Sequence, residues 1–118
     1  MANIVLGNTK VNYTLYRGAS WLFNVKVTDS ETGDVRKLVI GDLFRLTVRD
    51  SDNNVLFDKE FDDFTDNECE VGLTDEETAT LTAGKYKYDL WIEWDSGNSD
   101  VVIGVSDLVI KEGVKNVG

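Results

Sequence analysis

The sequence predicts an all-β domain, an antiparallel β-sandwich of seven or eight strands with one short helix. Three observations carry that prediction. Apolar and polar residues alternate with a period of two, the alternating segments are short, and Gly, Asn, Asp and Ser clusters separate them at the spacing of sandwich strands. A chain of 118 residues has room for one core. A single domain over 1–118 is therefore expected, with its core over about 9–111 and a short flexible C-terminal tail.

The elements follow in order. Val11, Tyr13 and Leu15 alternate with Asn12, Thr14 and Tyr16. After Arg17-Gly18-Ala19-Ser20, the residues Trp21, Phe23, Val25 and Val27 alternate with Leu22, Asn24, Lys26 and Thr28, so each set describes a half-buried strand. A turn over Asp29-Ser30-Glu31-Thr32-Gly33-Asp34 precedes the short apolar group Leu38-Val39-Ile40 and Gly41. Phe44, Leu46 and Val48 then face one way, and Arg45, Thr47 and Arg49 the other. Ser51-Asp52-Asn53-Asn54 turns the chain into a second hairpin arm over residues 55–64. Along this arm Val55, Phe57 and Phe61 share one face, and Asp58, Glu60 and Asp62 the opposite one.

Cys69, Val71 and Leu73 alternate with Glu68, Glu70 and Gly72. Thr74-Asp75-Glu76-Glu77 has the spacing of a capping box, with acids in the first turn where they favour the helix dipole, so a helix of about two turns is expected around 75–81. The clearest strand comes next. Tyr86, Tyr88, Leu90, Ile92 and Trp94 point inward, and Lys85, Lys87, Asp89, Trp91 and Glu93 outward. Asp95-Ser96-Gly97-Asn98 is a hairpin turn, and Val101, Ile103, Val105, Leu108 and Ile110 complete the strands.

Residue inventory and charge narrow the function. Histidine and proline are absent and Cys69 stands alone, which excludes intramolecular disulfides, His-based zinc sites and His-dependent triads. No enzyme activity and no cofactor are expected. No stretch approaches the roughly 20 apolar residues of a spanning helix, and the start lacks a basic segment followed by a long apolar one, so neither membrane nor secretory signal is expected. Acids outnumber bases 22 to 12, giving −10, and twelve of those acids lie in residues 50–77 against Lys59 alone. Direct nucleic-acid binding is disfavoured, because phosphate contacts need clustered Lys and Arg. Asp50-Ser51-Asp52-Asn53-Asn54 imitates the start of an EF-hand loop, but Val55 and Phe61 stand where Gly and Glu are required. Asp62, Asp63, Asp66 and Glu68 form a conceivable but unexpected calcium cluster.

Trp91 is the most informative candidate, because alternation places it outward beside Lys87, Asp89 and Glu93. A large aromatic among charges is either a contact residue or the lid of a minor cluster. Tyr16 and Leu22 also fall outward by parity, so these six residues are the expected protein interface. Trp21 and Trp94 belong to the core, and Cys69 is a small buried apolar residue.

Several of these segments, in this order, resemble a known family. They are Tyr16-Arg17-Gly18 before an apolar strand, Leu38-Val39-Ile40-Gly41 opening the strand with Phe44, Leu46 and Val48, and Leu73-Thr74-Asp75-Glu76-Glu77-Thr78. Leu81, Gly84-Lys85-Tyr86-Lys87-Tyr88-Asp89-Leu90, Gly97, Gly104 and Leu108-Val109-Ile110 follow. From about residue 11 to 111 the chain is similar to the immunoglobulin-like domains of tailed-bacteriophage virion proteins, including the N-terminal domain of phage baseplate upper proteins. The resemblance implies an immunoglobulin-like sandwich and a non-enzymatic virion structural or assembly protein of the tail, baseplate, head–tail connector or capsid. Such a part is made in the host cytoplasm, has other virion proteins as partners and forms a homo-oligomer in the particle. Two alternatives stand beside it: a carbohydrate or host-surface binding module using Trp91, and an acidic inhibitor that mimics DNA through the 50–77 window.

Overall fold

Among the residues that the computed structural model describes, 10–27, 34, 37–65 and 67–112, eight strands and one helix form two sheets in a sandwich. The strands are β1 (Tyr13–Tyr16), β2 (Trp21–Val25), β3 (Leu43–Arg49), β4 (Val55–Phe61), β5 (Phe64–Thr65), β6 (Glu68–Leu73), β7 (Gly84–Glu93) and β8 (Ser99–Lys111), with α1 (Asp75–Ala79) between β6 and β7. One sheet has the order β1-β8-β7-β3-β4 and the other β2-β6-β5. The fold is thus the all-β sandwich that the alternation predicts. Every pairing is antiparallel except β1 with β8, which is parallel.

The core is built by parity. Phe44, Leu46 and Val48 of β3, Tyr88, Leu90 and Ile92 of β7, and Leu108 and Ile110 of β8 are buried on the inner face of the five-stranded sheet. Trp21, Val25, Cys69, Val71 and Leu73 meet them from the other sheet. Each such side chain contributes about 1.5–3 kcal/mol when fully buried. Trp21 lies edge-on to Tyr88, with ring centroids 4.9 Å apart and an interplanar angle of 80°, and Tyr13 and Phe23 stack beside them at 5.5 Å. Burial raises the Tyr88 phenol above its ordinary pKa, and its hydroxyl donates to the Val11 carbonyl. The Cys69 thiol is pushed up to about 11 by burial first and by Asp63, Asp62 and Glu70 nearby, so it behaves as the small apolar residue expected.

Several local expectations are corrected. The second hairpin arm ends at Phe61, because the chain leaves the large sheet at Asp62-Asp63 and Phe64 begins β5 in the small one. Val55 does not share the face of Phe57: Val48 pairs with Phe57 and Arg49 with Val55, so Leu56 is an extra residue that turns Val55 outward. Leu38-Val39-Ile40 forms no strand. Leu38 is buried and Ile40 is 97% exposed in a turn that Asp42 closes by accepting from the Val39 and Asp95 amides at 2.9 and 2.8 Å. The last strand is continuous over thirteen residues, with its register shifted opposite Tyr88, Leu90 and Trp91. The turn over residues 29–34, apart from Asp34, the C-terminal tail beyond 112, the leader expectation for residues 1–9 and Asp66 of the acidic cluster lie outside the described residues.

The helix is shorter than expected but capped as its sequence requires. Thr74 Oγ1 accepts from the Glu77 amide at 3.2 Å, and Glu77 Oε1 accepts from the Thr74 amide at 2.8 Å. The same Glu77 oxygen accepts from Lys59 Nζ at 2.5 Å, and Nζ also reaches the Gly72 carbonyl at 3.1 Å. Lys59 sits opposite the buried Leu46, on the inner side of the edge strand β4. An inward-pointing charge there disfavours addition of a further strand to that edge. Burial by itself would raise the Glu77 pKa, but the bonds from Lys59 and Thr74 outweigh it and hold the carboxyl below its ordinary 4.5. A carboxyl lowered in the folded state contributes stability above its unfolded pKa and loses it as pH falls through the folded one. Unfolding free energy measured against pH should therefore drop more steeply below about pH 4.5 in the wild type than in Glu77→Gln. Parallel curves would show that the pair carries no stability.

Candidate functional site

The outer face of the five-stranded sheet is where the structure collects the predicted interface residues. β7 is its middle strand, and Lys85, Lys87, Asp89, Trp91 and Glu93 alternate outward against the buried Tyr86, Tyr88, Leu90 and Ile92. Val101 of β8, Trp91 of β7, Arg45 of β3 and Glu60 of β4 form one row of register partners across four strands. Trp91 is 38% exposed at the centre of this row, and its indole Nε1 donates to Asp89 Oδ2 at 3.3 Å.

Arg45 organises the face beside Trp91. Its Nε donates to Glu93 at 2.5 Å, Nη1 to Asp58 at 3.0 Å and Nη2 to Glu60 at 3.1 Å, so one guanidinium ties β4 and β7 across β3. The bonds it donates to Glu93 and Asp58 raise its pKa further, and it stays charged at any accessible pH. Each pair is partly exposed and worth little alone, but the fork of one Arg with three acids fixes the geometry of all four side chains. Alternation places Arg45 outward but does not by itself assign it to the interface. The signal was available: the hairpin pairs Arg45 with Glu60 and Thr47 with Asp58, which puts both acids beside an outward arginine.

The six predicted interface residues do not form one patch. Lys87, Asp89, Trp91 and Glu93 share β7, and Tyr16, 56% exposed, lies on the same outer face two strands away, in register with Lys111. Leu22 is corrected. Parity turned it outward, but it is on β2 of the small sheet, so it faces the opposite side of the sandwich from Trp91. The acidic window is likewise dispersed. Asp58 and Glu60 bind Arg45, Glu77 binds Lys59, Glu68 pairs with Lys26 at 3.3 Å, and Asp50 accepts from the Asn54 and Asp52 amides in the β3–β4 turn. The Asn54 amide in particular holds the Asp50 carboxyl below its ordinary pKa. These acids serve different sheets and loops and do not line one face.

Concavities also lie away from this face. An apolar cleft of about 370 Å³ opens between β1 and β2, lined by Val11, Tyr13, Phe23, Val25, Val102 and Ile103. A second, of about 500 Å³, lies beyond α1, beside Leu56, Leu81 and Tyr86. Among the described residues no group of three or more His, Cys, Asp or Glu side chains is placed to hold a metal ion.

No family model matches the chain, and no curated protein matches it. Among solved structures it is similar to CopC from Methylosinus trichosporium OB3b, at 12% identity and a TM-score of 0.50 over 100% of both chains. At that identity the likeness is one of fold, a β-sandwich. The expectation of a bacteriophage virion structural or assembly protein is corrected on this finding, since the match points away from a phage structural role and no phage relative is shown.

Proposed function

We propose that the chain is a non-enzymatic docking domain whose working surface is the outer face of the five-stranded sheet, centred on Trp91. The observation that carries this reading is an indole held partly in water on the middle strand of a pre-ordered face. Arg45 is fixed by three carboxylates and the Trp91 N–H by Asp89, so the polar groups around the ring are already satisfied by one another. A surface fixed before binding loses little side-chain entropy when it docks, and a central aromatic with a polar surround is the usual anatomy of a protein contact. The inward Lys59 on edge β4 supports the choice of face over edge.

Trp91→Ala should change folding stability by no more than about 1 kcal/mol, because the ring is on the surface. It should nevertheless lose the polypeptide, a second copy of the chain included, that the wild type and Trp91→Phe both retain in an extract of the cells that make it. Equal retention by all three forms would remove the face from the account. Marked unfolding of Trp91→Ala would instead make the indole a structural residue.

A further inference from the structure

We infer that the partner of this face is a second copy of the chain, packed face to face about a two-fold axis that lies between the sheets and runs across the strands; this rests on the docking reading above. The argument is electrostatic. The chain as a whole carries −10, so two copies repel on approach. On the strands of this face the charges balance and are sorted by position. Toward the start of β7 lie Arg49, Lys85, Lys87 and Lys111, with Asp107 as the one acid among them. Toward its end lie Asp58, Glu60, Asp89 and Glu93, with Arg45 as the one base.

The face is therefore +3 in one half and −3 in the other. A two-fold axis across the strands reverses strand direction between copies and lays each basic half on the other copy's acidic half, twice over. An axis along the strands would lay like on like, so the charge pattern selects one of the two isologous packings. Trp91, toward the end of the central strand, then lies inside the acidic half with Val101 beside it, where the other copy's basic half meets it.

Sedimentation velocity on the purified full chain tests this at about 100 µM, where a micromolar Kd gives mostly dimer. One variant, Lys85→Glu with Lys87→Glu, reverses the basic half; another, Asp58→Lys with Glu60→Lys, reverses the acidic half. All four positions are exposed, and circular dichroism checks that both variants keep the strand spectrum. Each alone should dimerise at least about tenfold more weakly than the wild type, because like charges now meet. Mixed together, the two variants should form a heterodimer of near wild-type strength, because both contacts again pair opposite signs. The wild-type dimer should also weaken as salt rises from about 0.05 to 0.5 M. A monomeric wild type, a mixture that fails to associate, or a dimer indifferent to salt and to both variants overturns the inference. If the wild type is monomeric while Trp91→Ala still loses a retained polypeptide from extract, the docking face stands and its partner is a different chain. If neither association is seen, both readings fall.

Discussion

Replacing Gly72 by alanine is expected to destabilise the domain by roughly 3–5 kcal/mol, the combined cost of a strained backbone and an overpacked contact. Gly72 has φ +140°, a conformation that side chains rarely adopt, and a Cβ built there would lie 1.7 Å from the Trp21 carbonyl oxygen. That oxygen belongs to backbone in the β2–β6 ladder, where Leu22 is the register partner of Gly72, so it cannot move aside without breaking the pairing. The Gly72 carbonyl also accepts from Lys59, so the displacement would reach the Lys59–Glu77 pair. Gly97→Ala is the control. Its φ is +97°, but nothing lies within 4 Å of the added carbon, so only strain of about 1–2 kcal/mol is expected. Urea titration of both variants checks the difference, and equal losses would mean that the β2–β6 approach is looser than described.

Leu90→Ala should cost roughly 2–5 kcal/mol, through lost burial and the cavity left behind. Leu90 is fully buried on the middle strand of the large sheet, in register with Leu46 on one side and Ile103 on the other. Neighbours from three strands close over it and cannot collapse into the space without shifting their own ladders. Thermal or urea unfolding measures the change. A loss below about 1 kcal/mol would place the inner face of β7 outside the core and, by parity, turn Trp91 inward.

Parity was the part of this fold that the sequence displayed most openly. Alternation alone places Leu90 inside and Trp91 outside, and Thr74 through Glu77 announce their own capping box. What alternation cannot display is which sheet a strand joins, or where one residue is inserted. Leu22 and Trp91 have the same outward signature, yet they face opposite sides of the sandwich because β2 pairs with β6 and β7 with β3 and β8. Val55 keeps the spacing of Phe57 and Phe61, but the extra residue Leu56 reverses it. The run of acids over 50–77 looks like one surface because it is continuous in sequence. The crossing at Asp62-Asp63 sends its two ends to different sheets, and long-range partners such as Glu93 for Arg45 and Lys59 for Glu77 depend on pairings that no local window contains.

The central claim, that the chain docks through the outer face at Trp91, is tested most directly by fluorine NMR of protein carrying 5-fluorotryptophan. The chain has three tryptophans, and Trp91→Phe assigns the Trp91 resonance by its loss. Spectra are compared between dilute buffer and a state in which the chain is associated, with a second copy or with the polypeptide it retains. The account predicts that the Trp91 resonance shifts on association while those of the buried Trp21 and Trp94 keep their positions. An associated state in which Trp91 is unmoved and remains open to solvent would contradict it.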